Sequence, residues 1–144
     1  MSFGDAVTSV RTNLTNFSGR ARRSEFWWWY LAVVLLGLTV GVVSAIVAAV
    51  LVAVDAPVLT TIVGIVLGLA LFALWLYVFV GTLAVAVRRL HDTDKSGWFY
   101  LLAFVPVANI VLIVFWALEG ARGPNQYGAD PRLGAVAPAA APQV

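Results

Sequence analysis

WFYLLAFVPVANIVLIVFWAL, Trp98–Leu118, is the stretch on which the fold turns. It carries no charge, and Pro106 lies near its middle. A helix needs about 20 apolar residues to cross the hydrocarbon core, so the run is long enough to span once. Proline removes a backbone donor and bends a helix, a defect that membrane helices tolerate when neighbours re-satisfy the freed carbonyl. Asn109 can assist by hydrogen bonding across helices. The expectation is a single span, 97–118, kinked at Pro106. The competing reading is a re-entrant helical hairpin that turns at Pro106 and needs its irregular backbone buried in protein. A span sends the following residues across the membrane; a hairpin returns them to the side they came from.

Two more uncharged runs precede it, Phe26–Val54 and Ala56–Val87, each long enough to cross. The chain has 144 residues, 62% hydrophobic and 11% charged, against about 25% charged in soluble domains. This composition predicts an all-α integral membrane protein. The first run is too long for a signal h-region, which is about 7–15 residues, and is expected to be a permanent helix. Asp55-Ala56-Pro57 separates the first two runs. Asp suits the cap and Pro the first turn of a new helix, so spans at 24–54 and 57–90 should form a tight antiparallel hairpin. With no cysteine and one histidine, thiol chemistry, disulfides and a His-based metal centre are not expected. No catalytic, cofactor-binding or metal-ligating residue is assigned, and nucleic acid is not an expected partner.

Orientation follows from the positive-inside rule. With three spans and the N-terminus inside, Arg11, Arg20, Arg22, Arg23, Arg88, Arg89 and Lys95 face the cytoplasm, and Arg122 and Arg132 face out. Trp27, Trp28, Trp29 and Tyr30 read as an aromatic belt at the inner interface. Phe3, Val7, Val10, Leu14 and Phe17 recur at helical spacing, with Ser2 and Asp5 as a capping box. They predict an amphipathic helix over 3–17, either lying on the membrane surface or packed on the protein's own helices. Residues 1–132 are expected to form one membrane domain, and the Ala/Pro-rich 133–144 to be disordered.

Gly37, Gly41, Ala45, Ala49 and Ala53 form a small-residue stripe, as do Thr60, Gly64 and Gly68. Such stripes let helices approach closely, either between the first two spans or between copies in a homo-oligomer. No ionisable group lies inside an apolar run, which disfavours a proton- or ion-coupled carrier.

Polar chemistry concentrates in RRLHDTDKSGW, Arg88–Trp98. His91 and Asp92 are a candidate acid/base pair, but adjacent helical residues do not face each other. The competing reading is a charged inner loop in which arginines suit a helix C-terminus. Arg20, Arg22, Arg23, Glu25, Arg88, Arg89, His91, Asp92 and Lys95 should share the cytoplasmic face, interlock by charge-assisted hydrogen bonds and hold anionic lipid headgroups.

GRARRSEFW (19–27), RRLHDTDKSGW (88–98), Pro106 and the tail pattern G-x-x-x-P-N-x-Y-G-x-D-P (120–131) together resemble the domain of unknown function family 805, small bacterial inner-membrane proteins. Asp94 and Phe99 depart from the family pattern. The resemblance implies a multi-pass plasma-membrane protein and marks Asn125, Tyr127, Gly128, Asp130 and Pro131 as a candidate tail motif. It implies no catalytic residue. If the three polar motifs form one assembly, the tail must meet Arg88–Trp98, which favours the hairpin. Three functions stay open: a non-enzymatic protein acting through partners or anionic lipids, a small oligomeric channel or carrier, and a lipid-headgroup enzyme using His91 and Asp92.

Overall fold

A computed structural model of the chain describes residues 1–133. The disordered tail expected over 133–144 lies outside the described residues, apart from Leu133. The described residues are helical, with no strand and one isolated bridge between Asn125 and Gly128. The order is α1 (Phe3–Thr12), α2 (Arg23–Ala53), α3 (Pro57–Asp92), a 3-10 helix (Gly97–Phe104) and α4 (Ala108–Ala117).

Helix α1 starts as expected. Asp5 N–H donates to Ser2 Oγ at 3.2 Å, and Ser2 N–H donates to Asp5 Oδ2 at 2.9 Å. It ends five residues short of the expected 17. The Asn13 side chain donates to the Ser9 carbonyl at 2.9 Å, and Asn16 donates to Asn13. Such local bonds offer the backbone an alternative to helix. Ala6 and Val10 are fully buried on the protein's own helices.

Helices α2 and α3 are each long and apolar enough to cross a membrane. Pro57 opens α3, and Trp29 Nε1 donates across to Thr82 Oγ1 at 3.0 Å. The glycine stripes are not used between the two helices. A Cβ added at Gly37, Gly41, Gly64 or Gly68 would meet nothing within 4 Å. Half-buried Val40, Ser44 and Val47 on α2 and Val63, Leu67, Leu71 and Leu74 on α3 recur at steps of three and four instead. The core gathers at one end of the hairpin, where Val10, Ala21, Phe26, Trp29, Val85 and Ala86 are buried together. Trp29 therefore belongs to the core, whereas Trp27, Trp28 and Tyr30 are exposed.

The third run is not one kinked helix. It breaks at Val105-Pro106-Val107 into the 3-10 helix and α4, which fold back on each other. Val105 is extended (φ −103°, ψ 116°), the conformation a following proline imposes. Val107 is left-handed (φ 70°), which reverses the chain. Phe99 and Phe115 rings lie 5.9 Å apart, and those of Tyr100 and Trp116 6.3 Å. A continuous helix would separate each pair by about 24 Å. Both ends of the run return to the end of α3. A Cβ at Gly97 would come within 2.8 Å of Val87, and Arg89 donates to the Leu118 carbonyl. The hairpin alternative, rather than the kinked span, describes this segment.

Candidate functional site

The α2–α3 hairpin sets the start of α2 beside the end of α3, and the fold-back of the third run brings the tail to the same place. Asp92 sits at the junction. Its Oδ1 accepts from Arg20 Nε at 3.0 Å and its Oδ2 from Arg89. Its backbone carbonyl accepts the Ala121 N–H at 2.7 Å. Arg20 spreads further, donating to the carbonyls of Gly123 (2.6 Å) and Ala121. Arg89, fully buried, donates to the carbonyls of Trp116 (3.1 Å) and Leu118. Each arginine thus spends its planar fork on a carboxylate and on backbone carbonyls, which for Arg89 are those left free where α4 ends and for Arg20 are those of the tail.

A second pair lies nearby. Arg88 Nη1 and Glu25 Oε1 are 3.0 Å apart, and Ser9 Oγ of α1 donates to the same oxygen at 3.1 Å. The Arg88 Nε and Nη2 atoms are buried without a partner among the described residues. Arg22 Nε donates to the Pro131 carbonyl at 2.6 Å, and Arg23 Nη1 to the Ala117 carbonyl at 3.2 Å. The Arg22 cap supplies no side-chain bond to the first turn of α2.

The tail motif closes over His91. The Tyr127 ring stacks on the imidazole at 3.9 Å with planes 2° apart. Asn125 Nδ2 donates to the His91 carbonyl at 2.9 Å, and Asn125 Oδ1 accepts the Tyr127 N–H. Gly128 (φ 132°) adopts a conformation that side chains disfavour and turns the chain toward Asp130. Asp130 accepts from Arg132 and from the Gly123 N–H, and these bonds hold its carboxyl well below the usual range.

The His91 and Asp92 side chains bond to other groups and not to each other. Both Asp92 oxygens are held by arginines, and His91 Nδ1 lies 3.1 Å from the Gly19 carbonyl, to which it donates. Burial pushes the imidazole pKa down, against the smaller opposing effect of the Gly19 bond, and favours the neutral ring. His91 borders a cavity of about 550 Å³ shared with Phe17, Ser96, Trp98, Tyr100 and Tyr127. Among the described residues, no carboxylate lines it. No group of metal-ligating side chains occurs among the described residues.

Of the expected cluster, Arg20, Arg22, Arg23, Glu25, Arg88, Arg89, His91 and Asp92 come together, joined by Asn125, Tyr127, Gly128, Asp130 and Pro131. Lys95 stands apart, with its ammonium over the Phe115 ring at 5.4 Å. Sequence reasoning missed Gly120 as a site position. A Cβ there would fall 1.9 Å from Asp92 Oδ2, so only glycine leaves Asp92 its place. The signal was present, since Gly120 opens the tail pattern. Arg132 and Ser9 had no such signal.

A family model described as "Protein of unknown function (DUF805)" matches residues 14–129. The inner membrane protein YhaI of Escherichia coli (strain K12) is 41% identical over 127 residues, covering 88% of this chain and 94% of that protein. The inner membrane protein YhaH of the same organism is 35% identical over 130 residues, covering 90% and 98%. No solved structure matches.

Proposed function

The chain belongs to the family of proteins of unknown function DUF805, and on that premise we propose that it is a non-enzymatic inner-membrane protein working through anionic lipids or partners at its cytoplasmic face. In this reading α2 and α3 cross the bilayer, and the Gly97–Ala117 hairpin dips in from the cytoplasmic side and returns. The N-terminus and the tail are then both inside. The observation that carries it is the bonding of the tail to Arg20, His91 and Asp92, which sets three polar motifs on one face. All nine Lys and Arg residues then lie on one side, a stronger positive-inside bias than three crossings allow. Location in the inner membrane is supported by what the relatives are called.

Sidedness and lipid dependence test the reading together. The chain has no cysteine, so Asp55→Cys and Arg122→Cys each introduce a single reporter thiol. An impermeant maleimide should label Asp55→Cys in intact cells, and Arg122→Cys only after lysis. In nanodiscs, an anionic bilayer should raise the unfolding temperature above that in a zwitterionic one. Labelling of Arg122→Cys in intact cells refutes the topology. Equal unfolding temperatures, with a crosslinking profile unchanged by Lys95→Glu, refute the role.

A further inference from the structure

Two cavities flank the packed edge of α2 and α4. The first, about 270 Å³, is lined by Arg22, Arg23, Ser24, Asp92, Glu119, Gly120 and Arg132. The second, about 320 Å³, is apolar and lies between α2 and the hairpin, against Trp27, Tyr30, Leu112, Ile113 and Trp116 among others. Arg23, Trp27 and Tyr30 follow one another at i, i+4 and i+7, so they share one face of α2. The basic and apolar cavities are therefore about one helical turn apart, or about 5.4 Å. The α4 side shows the same order, since Ala117 takes the Arg23 bond and Trp116, next to it, borders the apolar cavity.

We propose that this crevice binds one anionic phospholipid, with its phosphate on Arg22 and Arg23 and one acyl chain in the apolar cavity. The inference rests on the reading of the chain as an inner-membrane protein that works through anionic lipids, and it names the site. The charges select the headgroup. Arg20 and Arg89 together outweigh Asp92 by one positive charge, and Arg132 is matched by Asp130. Arg22, Arg23 and Glu119 remain and add one more, so the crevice and its ion pairs carry a net of two positive charges. Each of the two arginines gives one N–H to a backbone carbonyl and keeps further donors for phosphate. An anionic headgroup offsets this excess, and a zwitterionic one does not. A headgroup hydroxyl can donate to Glu119, whereas a headgroup ammonium brings a cation beside two guanidiniums. A phosphatidylglycerol-like lipid fits better than a phosphatidylethanolamine.

Native mass spectrometry of the full chain, offered phosphatidylglycerol or phosphatidylethanolamine in mild detergent, tests this. The wild-type protein should retain one phosphatidylglycerol in preference. Arg22→Gln/Arg23→Gln should weaken retention by on the order of 30-fold, from two basic contacts. Ile113→Trp, which fills the apolar cavity and touches no charge, should also lower it. Arg11→Gln/Arg122→Gln, a matched two-charge change on exposed side chains outside the crevice, should not. Equal retention of the two lipids, or wild-type retention by both crevice variants, overturns the proposal. So does a loss confined to the arginine variant, which leaves a headgroup surface without a chain site. Displacement of the lipid by glycerol 3-phosphate or inorganic phosphate assigns the cavity to a soluble phosphate and overturns it too. Stabilisation of the wild-type protein by anionic nanodiscs, with lipid retention unchanged in the variants, defeats the crevice and leaves the broader role standing.

Discussion

At the scale of single residues, two glycines make opposite demands. Gly120 leaves no room for a Cβ beside Asp92 Oδ2. Gly120→Ala must push the carboxylate off Arg20 and Arg89, and breaking a buried pair costs about 3–5 kcal/mol. Gly37→Ala meets nothing within 4 Å and should gain up to about 1 kcal/mol of helix propensity. Unfolding midpoints of the two variants in detergent should therefore move in opposite directions; a neutral Gly120→Ala would mean that Asp92 is not the junction. His91 sets the pH behaviour. Its pKa in the fold is lowered by burial, so the unfolded chain binds the proton more readily. Stability rises with pH wherever the unfolded state holds more protons. It should be fully present above the unfolded value of about 6.5 and weaken as pH falls below it. His91→Phe keeps an aromatic ring against Tyr127 and should flatten that slope, read as the unfolding temperature between pH 7.5 and 5. An unchanged slope would assign the effect elsewhere. The setting of His91 and Asp92 was only partly legible in RRLHDTDKSGW, because Arg89 lies within it but Gly19, Arg20 and the tail come from elsewhere.

At the scale of elements, the break in the third run is the most informative case. Val107 is β-branched at φ 70°, ψ −40°, a sparsely populated backbone region that costs about 1–3 kcal/mol. Val107→Gly should recover roughly 1 kcal/mol and raise the unfolding temperature. A fall would show that the turn does not need this geometry. The sequence offered Pro106 and so a defect, but a proline allows either a kink or a reversal. The reversal is selected by distant residues: Arg89 collects the carbonyls at the end of α4, and Gly97 lets the start of the run close on Val87 and His91. The two longer runs were legible, with α2 and α3 ending within a few residues of the expected bounds, because apolar length and Pro57 are local signals. The expected 3–17 helix overran since Leu14 and Phe17 keep the apolar period after Asn13 has ended the helix. The glycine stripes show the limit from the other side. Small residues at a period of four permit close packing, but the Val and Leu stripe on each helix is what the fold uses.

At the scale of the whole molecule, order is concentrated at one end. The buried cluster, the ion pairs and the docked tail all gather where α2 begins and α3 ends. The opposite end, around Asp55, has no buried residue between Val40 and Val80. This distribution predicts how the chain tolerates insertion. Adding a short Gly-Ser segment after Asp55 lengthens a turn held by few contacts, and each doubling of loop length costs only about 0.6 kcal/mol. The same segment after Gly120 displaces Ala121 from the Asp92 carbonyl, and Gly123 and Asn125 from Arg20 and His91. That strips carbonyl partners from Arg20, which is itself buried, and buried donors left unpaired cost about 1–3 kcal/mol apiece. The Asp55 insertion should leave the unfolding temperature near that of the parent chain and keep the slow hydrogen exchange of Ala121. The Gly120 insertion should lower the unfolding temperature sharply and release that amide to exchange. Equal tolerance at both sites would mean that the tail rests on the helices without holding them. Intolerance at Asp55 would place a second stabilising centre at the far end of the hairpin.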